Sequence, residues 1–221
     1  MSAKGRRRAE APALFVDETP PAPVPVGGAH NFYPTEPWCV DALLESPLVT
    51  LPGGLWIEPC AGMGSIVRAV NAKRSDVDWL LCDIDERMEP HLRRVMRGFD
   101  ILLPFGDFVH RPWNRSVADV LIMNPDFDHT EAFIAAAFVR ARWVVMLQRV
   151  NWFGSQDRAP WLRRHCPNQY NLPKRPSFTG DGKTDATEYA WFVWPPGNRE
   201  RRTGVIAMLD MPNGGQMELV A

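Results

Sequence analysis

The stretch Trp56-Ile57-Glu58-Pro59-Cys60-Ala61-Gly62-Met63-Gly64-Ser65-Ile66 decides the fold class. A short apolar run enters an acidic residue, then a Gly-x-Gly turn, then a helical pattern carried by Ile66, Val67 and Val70. Glycines at such a turn permit a tight reversal and let a ligand approach the backbone. Val67 stands where a dinucleotide fingerprint has its third glycine, which points away from a pyrophosphate cofactor and toward a smaller nucleoside ligand. The next apolar run, Trp79-Leu80-Leu81-Cys82, ends in Asp83. An acid about 20 residues past the glycines suits the acceptance of hydrogen bonds from ribose hydroxyls.

Around this unit, strand patterns fall near 55–58, 79–83, 100–103, 119–123, 143–149 and 189–194, with helical patterns between most of them. One helix follows Thr35 with Pro37 in its first turn, where the missing N–H matters little. Another runs from Ala132 to Arg140, with Ile134 and Phe138 on one face. The alternation predicts an α/β chain with a mostly parallel central sheet, helices on both faces, and ligands beyond the carboxyl ends of the strands. Glu58, Asp83, Asp107 and Asn124 all sit at or just past those ends. Asn168 to Leu172 and Tyr189 to Trp194 flank a polar loop with Gly180, Asp181, Gly182 and Lys183. They predict an antiparallel pair closing the sheet. The loop has two readings, a lid beside the site or a plain surface hairpin.

Asn124-Pro125-Asp126-Phe127 follows the apolar run Val120 to Met123. A polar side chain, a rigid proline and an aromatic suit the task of holding a flat, amino-bearing ring. An exocyclic amine shares its lone pair with its ring and is a poor nucleophile. The Asn124 oxygen and the Pro125 carbonyl can accept both amino hydrogens, while Phe127 stacks on the ring and aligns it with an electrophile.

The chain has 221 residues, 45% of them apolar, enough for one sizeable α/β core. Residues 1–29 are rich in Pro, Ala and charge and read as an extended tail; 30–210 form one domain and 211–221 a short C-terminal tail. No apolar run approaches the roughly 20 residues that cross a bilayer, and the basic start (Lys4, Arg6, Arg7, Arg8) lacks the apolar core of a secretory signal. Cys39, Cys60, Cys82 and Cys166 are scattered without metal-ligand spacing, so no metal site is expected and reduced thiols in the cytoplasm are. A net charge of −1 requires that any polyanion contact be local. Arg158, Arg163, Arg164, His165, Lys174 and Arg175 cluster around Trp161 and Tyr170, and read either as phosphate contacts or as a solvated helix face. Arg199, Arg201 and Arg202 form a second basic group, read as a solvated turn unless the fold brings it to the first.

These motifs, in this order, resemble class I S-adenosylmethionine-dependent methyltransferases of the amino-methylating DNA type, and above all the short adenine-N6 enzymes of phages and prophages. Phe32-Tyr33-Pro34-Thr35 resembles the N-terminal motif that meets the methionine end of the cofactor. Glu58 to Gly64 resembles the glycine-rich cofactor loop, with Pro59, Ala61, Gly62 and Gly64 at its turn, and Asp83 the ribose-binding acid. Gly106-Asp107-Phe108 resembles the segment that touches the cofactor's adenine, though Phe108 suits core packing equally. Asn124 to Phe127 resembles the catalytic motif, in which Asp126 replaces the usual second proline. Arg175 to Gly180 and Thr184 to Trp194 are similar to the C-terminal signature of the phage-type enzymes.

The resemblance implies a Rossmann-like class I methyltransferase fold, S-adenosyl-L-methionine as cofactor, and methylation of adenine N6 in DNA, with the base flipped out or in a single strand. Asp126 and Glu188 are candidate acceptors for the released proton. The DNA side would comprise Arg158, Arg163, Arg164, Lys174, Arg175, Ser177 and Lys183. The location implied is the cytoplasm of a bacterial host, and monomer and homodimer are both open. Cytosine N4-methylation, an RNA or protein amide methyltransferase, and a non-catalytic nucleoside-binding protein are the alternatives. There is no room between Asp107 and Asn124 for a separate recognition domain, so short or relaxed sequence specificity is expected.

Overall fold

The computed structural model describes residues 33–178, 184, 186–197 and 200–212. The expected tail over 1–29, Phe32, Lys183 with the centre of its loop, Arg199, and 213–221 of the expected C-terminal tail lie outside the described residues.

The chain begins with helix α1 (Pro37–Glu45), then strand β1 (Gly54–Glu58), α2 (Ser65–Lys73) and β2 (Val77–Leu81). A 3-10 turn leads into α3 (Glu89–Val95), followed by β3 (Ile101–Leu102), β4 (Ala118–Met123), α4 (Thr130–Phe138) and β5 (Ala141–Arg149). Then come α5 (Ala159–Leu162), β6 (Asn168–Asn171), β7 (Tyr189–Trp194) and β8 (Ile206–Met208). The strands form one eight-stranded sheet in the order β3-β2-β1-β4-β5-β7-β6-β8. β1 to β5 run parallel, β7 is antiparallel to both β5 and β6, and β8 lies parallel to β6. This is the mostly parallel sheet with a closing antiparallel pair that the alternation predicts.

Because side chains alternate across a strand, the sheet divides the apolar residues into two cores. Trp56, Trp79, Val120, Ile122, Val145 and Trp191 meet α1, α2 and α3 on one face through Leu43, Val67 and Leu92. Ile57, Leu80, Leu121, Val144, Met146 and Phe192 meet α4 and α5 on the other through Ile134, Ala137 and Leu162. Burial on both faces explains why the inner strands read as unbroken apolar runs.

Two details differ from the sequence reading. The helix expected over 132–140 spans Thr130–Phe138, because Arg140 leaves it to place its guanidinium inside the second core. β8 is not among the expected strands, although Val205 to Leu209 is an apolar run; it is only three residues long, pairs with β6 and leaves Ile206 and Met208 exposed, while Ala207 and Leu209 pack on the first core. All four cysteines are free thiols.

Chain order places β1 and β4 side by side with β2 and β3 on one flank and β5 on the other. The connections diverge at this point, opening a crevice at the carboxyl ends of the strands where ligands bind in such sheets.

Candidate functional site

That crevice holds a cavity of about 290 Å³. Its floor is the turn after β1: Pro59, Cys60, Ala61 and Gly62 line it, with Gly62 at φ +52°. The Gly62 N–H donates to Asp83 Oδ2 at 2.7 Å, and the Asp85 N–H to Asp83 Oδ1 at 2.9 Å. Asp83 thus ties the glycine turn to the end of β2, and each of its oxygens keeps a further lone pair. Burial raises its pKa, and the two backbone N–H groups oppose that rise. Glu58, fully buried at the end of β1, has its pKa raised well above the ordinary range, first by burial and then by the Asp83 charge. Its Oε2 has no hydrogen-bond partner among the described residues. Burial likewise pushes the Cys60 thiol up.

Gly64 was expected in the ligand cradle but does not line the cavity. It caps α2 at φ +75°, and a Cβ there would meet Val95 Cγ2 at 2.7 Å. Its lack of a side chain serves the packing of α2 on α3.

The far wall is the loop after β3. Asp107 Oδ1 accepts the Val109 N–H at 2.8 Å, and its Oδ2 lies 2.5 Å from His110 Nδ1. The bond to His110 holds the Asp107 carboxyl below its usual range. Phe108 lines the cavity but belongs to the second core: it is 2% exposed, its ring stacks at 6.4 Å on Phe133, and the Arg140 guanidinium lies 4.4 Å from its centroid. Arg140 also donates to the carbonyls of Phe108, Val109 and Arg111, clamping the loop. Nothing in the local sequence marks this role beyond a charged residue between an apolar helix and an apolar strand.

A second cavity of about 240 Å³ adjoins the first, lined by Tyr33, Asn124, Pro125, Asp126, Phe127, Asp128 and Arg149. Tyr33, Asn124 and Asp126 line both cavities and so form the partition between them. The Asn124 amide donates to Thr35 Oγ1 at 3.1 Å and to the Tyr33 carbonyl at 3.3 Å. With its hydrogens engaged, Asn124 presents Oδ1 as an acceptor. A further anchor holds this turn. Thr130 Oγ1 donates within 3.2 Å of the Asp126 and Phe127 carbonyls and itself accepts from the buried Gln148 at 2.9 Å, fastening the loop to β5. Phe127 carries the Arg149 guanidinium 4.3 Å from its centroid, and Arg149 Nε donates to the Tyr189 hydroxyl at 3.1 Å. Neither Thr130, Gln148 nor Arg149 is marked by a motif; each acts through contacts distant in the chain or at a strand end.

The basic residues separate into three environments. Arg158 is committed to Glu131 and to the Trp152 carbonyl. Arg163 and Arg164 lie at the opposite edge of the sheet. Trp194, which bonds the adjacent His165 carbonyl at 2.8 Å, pairs with Val144 in the middle of β5, roughly 17 Å from Arg149 at 3.3 Å per residue. There the two basic groups do meet: Arg163, Arg164 and Arg202 line a shallow cavity with Glu200, which pairs with Arg164 at 2.8 Å. Lys174, Arg175 and Ser177 stay on the site's own edge. Lys174 Nζ lies 4.8 Å from the Trp38 centroid, Arg175 pairs with Glu188 at 3.1 Å, and the Ser177 N–H donates to Glu36 at 2.7 Å. Glu188, one candidate proton acceptor, is thus engaged by Arg175 and lines neither cavity.

No protein-family model and no curated protein matches the chain. Solved structures match it in fold. A predicted O-methyltransferase from Agrobacterium tumefaciens superposes with a TM-score of 0.57 at 17% identity, covering 82% of this chain and 90% of that one. A dimethyladenosine transferase from Plasmodium falciparum gives 0.53 at 12% identity, over 75% of this chain and 63% of that one. The 23S rRNA methyltransferase ErmE gives 0.53 at 12% identity, over 77% and 71%. At such identities the likeness is one of fold: the chain has the Rossmann-like fold of class I methyltransferases. Among the described residues no helix is long and apolar enough to cross a membrane, and no group of three or more His, Cys, Asp or Glu side chains is placed to hold a metal.

Proposed function

We propose that the chain is an S-adenosylmethionine-dependent methyltransferase acting on the exocyclic amino group of adenine in DNA. The observation that carries this reading is Asn124, standing at the partition of two adjoining cavities with its amide fixed by Thr35 and Tyr33.

The larger cavity suits the cofactor. Glu58 Oε2, buried and without a partner, is a ready acceptor for an ammonium group, and two raised acids beside each other favour a cationic ligand. Asp83 would accept from ribose hydroxyls, the turn from Pro59 to Gly62 would take the methionine part with Thr35, and the loop from Asp107 to His110 would border the adenine. When bound, S-adenosylmethionine supplies a methyl group already activated on a sulfonium. The protein's own work is then alignment and electrostatics. Asn124 Oδ1 and the Pro125 carbonyl accept the two amino hydrogens of the target, drawing its nitrogen toward a tetrahedral geometry. Phe127 offers a stacking face in the smaller cavity. An adenine within a duplex cannot reach that cavity and has to be flipped out.

Of the basic side chains, Lys174 and Arg175 would neutralise phosphates at the site's edge, with Ser177 beside them. Few short segments border the smaller cavity, and one well-made base contact discriminates by about 1–3 kcal/mol, so specificity is short or degenerate. The test is incubation with tritiated S-adenosylmethionine and duplex DNA, single-stranded DNA or RNA in parallel, followed by nucleoside analysis. Label in N6-methyldeoxyadenosine is the expected result. Label only in N4-methylcytosine, only in RNA, or in no nucleic acid would overturn it.

A further inference from the structure

Asp126 stands where the resemblance has a proline, and both oxygens of its carboxylate are engaged. Oδ2 lies 3.1 Å from His129 Nδ1, Oδ1 accepts the Asp128 N–H at 3.1 Å, and the Asp126 carbonyl accepts the His129 N–H at 3.3 Å. With Thr130 and Gln148 fastening the same turn to β5, the acid and the imidazole are held as one unit at the entry to α4. An Nδ1–H engaged by a carboxylate leaves the lone pair on Nε2. Both residues line the larger cavity, and Asp126 also lines the smaller one. The unit therefore sits at the partition where a target amine in one cavity meets a methyl group in the other. The cavity's second pair, Asp107 with His110, has no place in the smaller cavity.

We propose that His129 is the proton acceptor of the reaction and Asp126 its positioning residue, an inference that rests on reading the site as an amine methyltransferase. As the target nitrogen gains its bond to carbon, the carbon–sulfur bond breaks with its electron pair left on sulfur. The nitrogen then carries a positive charge and one surplus hydrogen. His129 Nε2 takes that hydrogen, directly or across one water, and the N–H pair returns to the nitrogen. The imidazolium so formed is stabilised by the Asp126 carboxylate and releases its proton to solvent, to which the His129 side chain is 68% exposed.

The test combines single-turnover methyl transfer, calorimetric titration with S-adenosylhomocysteine, and two-bond proton–nitrogen NMR of the imidazole in the ligand-free protein. His129→Ala is expected to slow transfer by about 10²-fold, with part of the rate returned by imidazole in the buffer. Affinity for S-adenosylhomocysteine should stay within about threefold, less than the loss of a typical hydrogen bond. Wild-type His129 should carry its hydrogen on Nδ1, and Asp126→Asn should reduce that share and slow transfer by about tenfold, less than loss of the acceptor itself. His129→Gln, which keeps size and polarity, should be as slow as His129→Ala. Full turnover by either His129 variant, no rescue by imidazole, or hydrogen on Nε2 in the wild type would overturn the role. If the wild-type protein binds S-adenosylhomocysteine yet methylates no nucleic acid, the reading of the site falls and the role with it. Wild-type transfer with an indifferent His129→Ala removes this role alone.

Discussion

The side-chain amide of Asn124 donates to the hydroxyl of Thr35 at 3.1 Å, joining the end of β4 to a segment 89 residues earlier in the chain. The Tyr33 carbonyl, an acceptor only, takes the other amide hydrogen at 3.3 Å and so fixes which end of the amide faces the neighbouring cavity: its nitrogen is occupied, and its oxygen is the group on offer. The two contacts also make the segment before α1 a wall of the site rather than a leader to the fold.

Asn124→Ala should therefore reduce methyl transfer by at least about 10²-fold, the usual loss when one well-aimed polar group is removed from a reacting centre. Cofactor affinity should fall by no more than about tenfold, one hydrogen bond's worth. Activity assay beside isothermal titration decides. Loss of cofactor binding, or full turnover, would reassign Asn124.

Asp83→Ala should weaken S-adenosylmethionine binding by about 1.5–3 kcal/mol while saturating cofactor restores most of the rate. The structure adds a second consequence. Asp83 also accepts the Gly62 and Asp85 N–H groups, so the variant should lose about 1–3 kcal/mol of stability by stranding those donors. Calorimetry and thermal melting separate the two effects.

Glu58 gives a pH prediction. Its folded pKa is raised by burial and by Asp83. Between the unfolded and folded values the folded state holds the extra proton, so stability falls as pH rises through that window. The other carboxylate oxygen of Glu58 accepts the backbone N–H of Val67 in α2, and Glu58→Gln keeps that acceptor and cannot ionise. It should raise the Tm of the ligand-free protein by at least about 2–4 °C at about pH 8 and change it little at about pH 5. An equal gain at both pH values would show that ionisation of Glu58 is not what destabilises the site.

Gly64→Ala should destabilise the fold by about 1–3 kcal/mol, because an L side chain is strained at φ +75° and its Cβ meets Val95. Folded variant protein should keep near-normal cofactor affinity, measured by titration. A selective loss of affinity with unchanged Tm would return Gly64 to the ligand cradle.

If Lys174 and Arg175 neutralise phosphates, replacing either by Ala should lower the salt slope of duplex binding by about 0.9. The double change Arg163→Ser, Arg164→Ser should leave the slope unchanged. Fluorescence anisotropy over a salt series tests both, and the reverse pattern would move the nucleic-acid face to the opposite edge of the sheet.

Most of the sheet was legible because its strands are buried on both faces and announce themselves as apolar runs, Val120 to Met123 most plainly. The cavity floor was legible too, since Glu58, the glycine turn and Asp83 are close in sequence to the elements that place them. Gly64 has two readings in the sequence, because a glycine freed for a ligand and a glycine freed for a neighbouring helix look the same in one dimension; the close approach of Val95 supports the second. Arg140, Gln148 and Arg149 were silent because their partners are 18 or more residues away. His129 was passed over although it lies three residues from Asp126, a spacing that brings two side chains together at a helix entry.

Arg149 lies on the face of Phe127, so if that face receives the target ring, the ligand-free protein carries a competitor for it. A planar cation tethered to β5 is present at a high effective concentration, and any ring that is to take that face has to displace it first. A cation–π contact is worth about 0.5–2 kcal/mol, so apparent affinity for an unpaired base is reduced by about 2–30-fold relative to the pocket's intrinsic affinity. On that reading, occupancy would be biased toward ligands that give the displaced guanidinium somewhere to go, as a strand bearing phosphates does and a free nucleobase does not.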